Sequence, residues 1–221
     1  MLGLSPGPSF AVLGATLYAE RDLIYRDAVC VGVRTARGDE PAMLEGGRAD
    51  FWIVGGDAVG HAMRSPVGRY RAAVRTTLAP GTRVAASLEG SGALEPFRTH
   101  RPVVVPTAVT RSAPAPGFRA RRGGALDVAW QGGDSSHVAI VVTASHGASE
   151  TDPHGTLLTC VVPRAPGAFT VPAAALAAVS PDADTITVTV AADDRVAEGD
   201  YAFDVTPLGT EADVAAGSFG P

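Results

Sequence analysis

The chain has 221 residues, 46% of them hydrophobic and 19% charged, with a formal net charge of −5. That length and apolar content suit one large or two small folded domains and exclude a generally disordered chain, because folding at this size removes roughly 70% of the unfolded surface from water. The acidic balance argues against sequence-independent nucleic-acid binding, which rests on a clustered positive surface.

All 18 basic residues are Arg, and the absence of Asn removes any N-glycosylation acceptor. The heavy use of Arg, Ala, Gly and Pro reads as the codon bias of a GC-rich genome. Residues 1–9, rich in Gly, Pro and Ser, read as a flexible segment with neither the charged start nor the apolar stretch of a signal peptide. Strand-like runs then follow at 10–18, 28–35 and 50–54, the last between Gly-rich turns. Residues 69–75 and 82–88 alternate polar with apolar side chains, the second after the turn dipeptide Pro80-Gly81, and 103–109 closes this set. The stretch from Pro102 to Gly117 is the most Pro-dense of the chain and belongs on a sheet edge or in a linker, which places a domain boundary near residue 115.

Beyond it, six runs rich in β-branched and aromatic residues recur at nearly even spacing: 125–130, 137–143, 156–162, 168–171, 185–190 and 200–205. Between the fourth and fifth, Pro172 followed by Ala173-Ala174-Ala175-Leu176-Ala177-Ala178-Val179 predicts the one short helix, stopped at Ser180-Pro181. The fold class expected is therefore all-β, two Ig-like β-sandwich domains in tandem with one or two helical turns. Their expected bounds are a segment at 1–9, an N-terminal β domain at 10–115, a C-terminal sandwich at 116–207 and a tail at 208–221. Period-2 spacing puts Trp130, Ile140, Val142, Leu158, Val162, Phe169, Leu176, Ile186, Val188 and Phe203 in the C-terminal core.

Residues 120–207 also carry a resemblance, on Asp127-Val128-Ala129-Trp130 with its Gly-rich turn, the strand of Cys160, Phe169-Thr170-Val171-Pro172 leading into the Ala-rich helix, and the starts at Thr185 and Gly199-Asp200-Tyr201. The segment resembles a C-terminal Ig-like β-sandwich module of uncharacterised exported and lipid-anchored proteins from GC-rich Gram-negative bacteria. The resemblance implies an Ig-like sandwich on the cell envelope and brings no catalytic residues with it.

Four side chains in one loop have the chemistry of metal ligands: His146, Glu150, Asp152 and His154, within nine residues. The Gly, Ser, Thr and Pro around them are those of a hairpin tip, so a solvated loop competes with a divalent-metal site. Asp193-Asp194 with Glu198 and Asp200 reads as an acidic turn without an EF-hand pattern. Gly133-Asp134-Ser135-Ser136-His137 holds Ser, His and Asp together, but no nucleophile elbow, dinucleotide fingerprint or P-loop accompanies it. No enzymatic activity and no cofactor are expected on these residues.

Trp52 and Trp130 lie inside apolar runs and read as core rather than as sugar platforms. Arg119, Arg121 and Arg122 read as a solvated linker. Cys30 and Cys160, each mid-strand in a different expected domain, read as two free buried thiols. The function expected is a non-catalytic envelope or extracellular β-sandwich serving adhesion, assembly or structural spacing. The alternative is a module binding carbohydrate or a divalent metal. The partners expected are a protein or a cell-surface polymer, with no nucleic acid and no transmembrane segment. The place expected is extracellular, periplasmic or on the outer-membrane surface.

Overall fold

The computed structural model describes residues 11–16, 23–35, 48–56, 58–64, 69–71, 79–90, 96–145, 155–179, 183–198, 201–207 and 214–220. The N-terminal half of these holds β1 (Ala11–Thr16), β2 (Leu23–Arg26), β3 (Cys30–Thr35), β4 (Ala49–Ile53), β5 (Ala58–Arg64), β6 (Arg69–Arg71), β7 (Arg83–Leu88), β8 (Phe97–Arg98), β9 (Val103–Val104) and β10 (Val109–Ala113). The C-terminal half holds β11 (Phe118–Arg121), β12 (Leu126–Gly132), β13 (His137–Ser145), β14 (Gly155–Pro163), β15 (Ala168–Val171), helix α1 (Ala173–Val179), β16 (Thr185–Glu198), β17 (Tyr201–Pro207) and β18 (Val214–Gly220). The all-β class holds, and each of the six C-terminal runs is a strand.

The C-terminal strands form a two-layer β-sandwich. One layer is the three-stranded sheet β10-β12-β15, and the other contains β14-β13-β16 with β18 and β11 beyond. Alternation along each strand explains why the layers close. Leu126, Val128 and Trp130 of β12 point inward and meet Val138, Ile140 and Val142 of β13, Leu158 and Val162 of β14, and Ile186, Val188 and Val190 of β16 in one buried cluster. Of the ten expected core residues, eight are buried there. Phe169, on β15 at the end of the three-stranded sheet, is only half-buried against the cluster. The side chain of Phe203 lies outside the described residues.

The helix forms where Ala lowers the cost of helical backbone and Pro172, having no N–H to leave unpaired, precedes the first turn. The Pro172 carbonyl accepts the Leu176 N–H at 3.0 Å. Ala175, Leu176 and Val179 are its buried face. At its other end the Thr156 hydroxyl donates to the Val179 carbonyl, one of the groups a helix leaves without an internal partner.

Three expectations about organisation change. Residue 115 falls between β10 and β11, where the chain moves from one layer of the sandwich to the other. Strand pairing also crosses that position, with β3 antiparallel to β14 and β1 antiparallel to β17. Residues 23–35 therefore extend the C-terminal sheet rather than build a separate core, and Cys30, Ile24 and Tyr25 belong to the cluster described above. The stretch expected as a tail contains β18, which lies between β11, parallel to it, and β16, antiparallel to it.

The long β16 joins the sandwich to the rest. Its first part pairs with β13 and β18, and Asp194–Glu198 pairs with β17. The sheet continues from β17 through β1, β6, β5, β4 and β7 to β8. Phe51, Val84, Leu88, Val103 and Val105 are buried in that region. Buried Thr99 serves β7 twice, its hydroxyl accepting from the Ala86 N–H at 3.2 Å and donating to the Ala86 carbonyl at 3.3 Å.

The parallel contact of β18 with β11 is tight enough to test. A Cβ at Gly217 falls 2.5 Å from the Phe118 backbone oxygen and 2.6 Å from its ring. A backbone oxygen cannot swing aside, so Gly217→Ala should lower the free energy of unfolding by about 1–3 kcal/mol in urea denaturation. An unchanged midpoint would mean that β11 and β18 separate at little cost.

Candidate functional site

The expected metal-ligand set, His146, Glu150, Asp152 and His154, lies outside the described residues, between the ends of β13 and β14. Among the described residues no group of three or more His, Cys, Asp and Glu is placed to hold a metal ion. No helix among them is long and apolar enough to cross a membrane.

Several described polar side chains converge at the corner from Gly133 to His137, between β12 and β13. Its shape is set at Gly133, where φ is +72° and a Cβ would fall 2.5 Å from Val109 Cγ1. The Asp134 carboxylate accepts the Thr107 N–H at 2.7 Å and the Thr107 hydroxyl at 2.9 Å. The Thr107 N–H in particular holds its pKa below the ordinary carboxylate range, with nearby Arg164 acting the same way more weakly.

Ser135 donates its hydroxyl to the His137 carbonyl at 2.6 Å, and Arg164 Nε donates to the Ser135 carbonyl at 2.7 Å. The Arg164 carbonyl in turn accepts the Trp130 indole N–H at 3.2 Å. Ser136 and His137 are joined side chain to side chain, Oγ to Nδ1 at 2.8 Å. A catalytic triad needs the acid on the far nitrogen of the His. Here Asp134 is bound to Thr107, so the corner is chemistry spent on holding a turn.

The remaining candidates resolve one by one. Trp130 is core, as expected, and Trp52 is half-buried with the Arg98 guanidinium 5.4 Å from its ring centroid. The Asp193-Asp194 pair is not a turn, because β16 runs through it. Asp193 is buried opposite His137, and Asp194 accepts the Val104 N–H at 2.7 Å. Of the Arg cluster, Arg119 and Arg121 are exposed on β11 rather than in a linker. Arg122 donates to the Ala183 carbonyl at 2.8 Å, stands 3.9 Å from Asp184 and covers the Phe219 ring at 5.4 Å.

The two cysteines are bonded to each other, Cys30 to Cys160, across a sequence separation of 130. The expectation of free thiols rested on two separate cores. Because β3 pairs with β14, the residues stand directly opposite in register, and their Cα atoms are 4.0 Å apart.

The turn that leads into Cys30 is held by an aspartate that the sequence reading passed over. Asp27 accepts the Val29 N–H at 2.7 Å and the Cys30 N–H at 2.6 Å on one oxygen, and the Tyr25 hydroxyl at 2.7 Å on the other. An Asp bonding backbone two and three residues on is the signature of a turn and was legible in Asp27-Ala28-Val29-Cys30. The Tyr25 hydroxyl contributes most to lowering the pKa of Asp27, and the same bond raises that of Tyr25.

A group held below its unfolded value adds stability above that value and loses it as pH falls. Asp27→Asn and Asp134→Asn should therefore cost stability at pH 7 and less below about pH 4, where the wild-type carboxylates take up protons. Urea unfolding at pH 7 and pH 3 checks this. A pH-independent difference would show that the charge is immaterial and only the geometry counts.

No family model matches the chain, and no curated protein matches it. Among solved structures, it is similar to one described as structures of Clostridium thermocellum CbhA fibronectin(III)-like modules. The likeness is 15% identical, with a TM-score of 0.27, and covers 86% of this chain and 84% of that chain. Nothing about those modules is carried over at that level of overlap.

Proposed function

We propose that this chain is a non-catalytic β-sandwich protein of the cell envelope or the extracellular space, serving adhesion, assembly or structural spacing. The observation that carries the reading is the Cys30–Cys160 bond, fully buried in the sandwich core. Protein disulfides form and persist in oxidising compartments, and cytosolic reductants keep most thiols reduced. A buried bond that ties the first β-hairpin to the sandwich is the kind a secreted fold keeps for good.

The non-catalytic part is supported by the Gly133–His137 corner, whose Asp134, Ser135 and neighbouring Arg164 are committed to backbone groups and to Thr107. The partner class that suits such a module is another protein or a cell-surface polymer. Fractionation of the source cells, with alkylation of the denatured, unreduced protein, tests the location. The expected result is an envelope or extracellular fraction with no alkylated cysteine. A cytosolic fraction carrying two alkylated thiols would overturn the proposal.

A further inference from the structure

We infer that the β2–β3 hairpin is an edge guard, stapled in place by Cys30–Cys160, which keeps the sandwich from pairing with a second copy of this chain through β14. The order β2-β3-β14-β13-β16 makes β14 the outermost strand that the sandwich itself supplies on this side. β14 is nine residues long, Gly155–Pro163, and its sequence Gly-Thr-Leu-Leu-Thr-Cys-Val-Val-Pro carries no charge. A long, flat, uncharged edge strand pairs readily with another chain, and proteins cover such edges or break them with charge.

Here the cover comes from far away in sequence. β3 lies along β14 from Thr35 opposite Gly155 to Cys30 opposite Cys160. Among the described strands the edge then passes to β2, which is four residues long, ends in Arg26 and carries a register shift between Leu23 and Tyr25. A short, irregular strand with a terminal charge is a poor template for further pairing. The hairpin thus exchanges a hazardous edge for a safe one.

The placing of the bond fits that role. It joins the guard to the strand it guards, in register, and the Asp27 turn fixes Cys30 by its N–H on the same side. Val161 donates its N–H to the Val29 carbonyl at 3.0 Å. By the alternation of an antiparallel ladder, the N–H groups of Leu157, Thr159 and Val161 face the guard, while those of Leu158, Cys160 and Val162 face β13. Making the bond converts two thiols to one disulfide. Two electrons and two protons pass by thiol–disulfide exchange to a disulfide oxidant, which leaves as a dithiol. The guard needs only that this bond has formed, so it stands or falls apart from the adhesion or spacing reading.

Amide exchange followed by NMR tests it, on the oxidised protein and on the Cys30→Ala, Cys160→Val variant. In the variant, the amides of Leu157, Thr159 and Val161 should exchange faster by roughly tenfold or more relative to those of Leu158, Cys160 (there Val) and Val162. Light scattering should show a mass that rises with concentration toward a dimer in the variant, and a constant monomer mass in the oxidised protein. The wild-type chain folded under a dithiol, with both thiols free, repeats both measurements independently of how the replaced side chains repack. A uniform change across both sets of amides, or a monomer at every concentration without the bond, would overturn the inference.

Discussion

Removing the Cys30–Cys160 bond by Cys30→Ala with Cys160→Val should lower the free energy of unfolding by about 5 kcal/mol. A cross-link lowers the entropy of the unfolded chain in proportion to the logarithm of the loop it closes, and this loop spans a separation of 130. The two replacement side chains together fill much of the space left by two sulfurs in a site with no exposure, so most of the loss should come from the unfolded state. Guanidinium unfolding of the variant against the oxidised wild type measures it. The variant should also show a steeper dependence on denaturant, because its unfolded chain is more open. A loss below about 1 kcal/mol would mean that the unfolded chain keeps residues 30 and 160 together without the bond.

The second large effect belongs to Trp130. Its side chain is 3% exposed at the centre of the small sheet, facing β13 and β16, and its indole N–H is bonded to the Arg164 carbonyl. Trp130→Ala should cost about 3–5 kcal/mol, from lost burial and the cavity left between the layers. Trp130→Phe keeps most of the ring and loses the hydrogen bond and some volume, for about 1–2 kcal/mol. Equilibrium unfolding of both variants separates the contributions. Equal losses in the two would show that the hydrogen bond, rather than the ring, holds the corner.

The C-terminal sandwich was legible in the sequence because its strands obey a local rule. Val138, Ile140 and Val142 alternate with outward residues, as do Leu126, Val128 and Trp130, and no knowledge of partners is needed to see it. What stayed hidden was set by pairing between distant segments. Leu23–Arg26 is too short to announce a strand, and Phe118–Arg121 carries two Arg because its side chains alternate into solvent at an edge. Val214–Gly220 reads as a tail because two Gly and a Ser carry no strand preference, yet Gly217 is what lets β18 approach β11.

The disulfide was missed for the same reason. Burial of each cysteine was foreseeable from its apolar run, but their meeting depended on β3 crossing the Pro-rich stretch to reach β14. The corner at Asp134 was half legible. Ser, His and Asp side by side were visible, while the allegiance of the carboxylate to Thr107, 27 residues upstream, was not.

Tension gives the Cys30–Cys160 bond a further meaning. When the chain is gripped at points before residue 30 and after residue 160 and drawn out, load passes from one strand to its neighbour through two sulfurs. The intervening residues are bypassed. A separation of 130 residues, at roughly 3.3–3.6 Å each when extended, amounts to about 450 Å of slack that a pull cannot release. A molecule loaded this way lengthens only through the segments outside the bond.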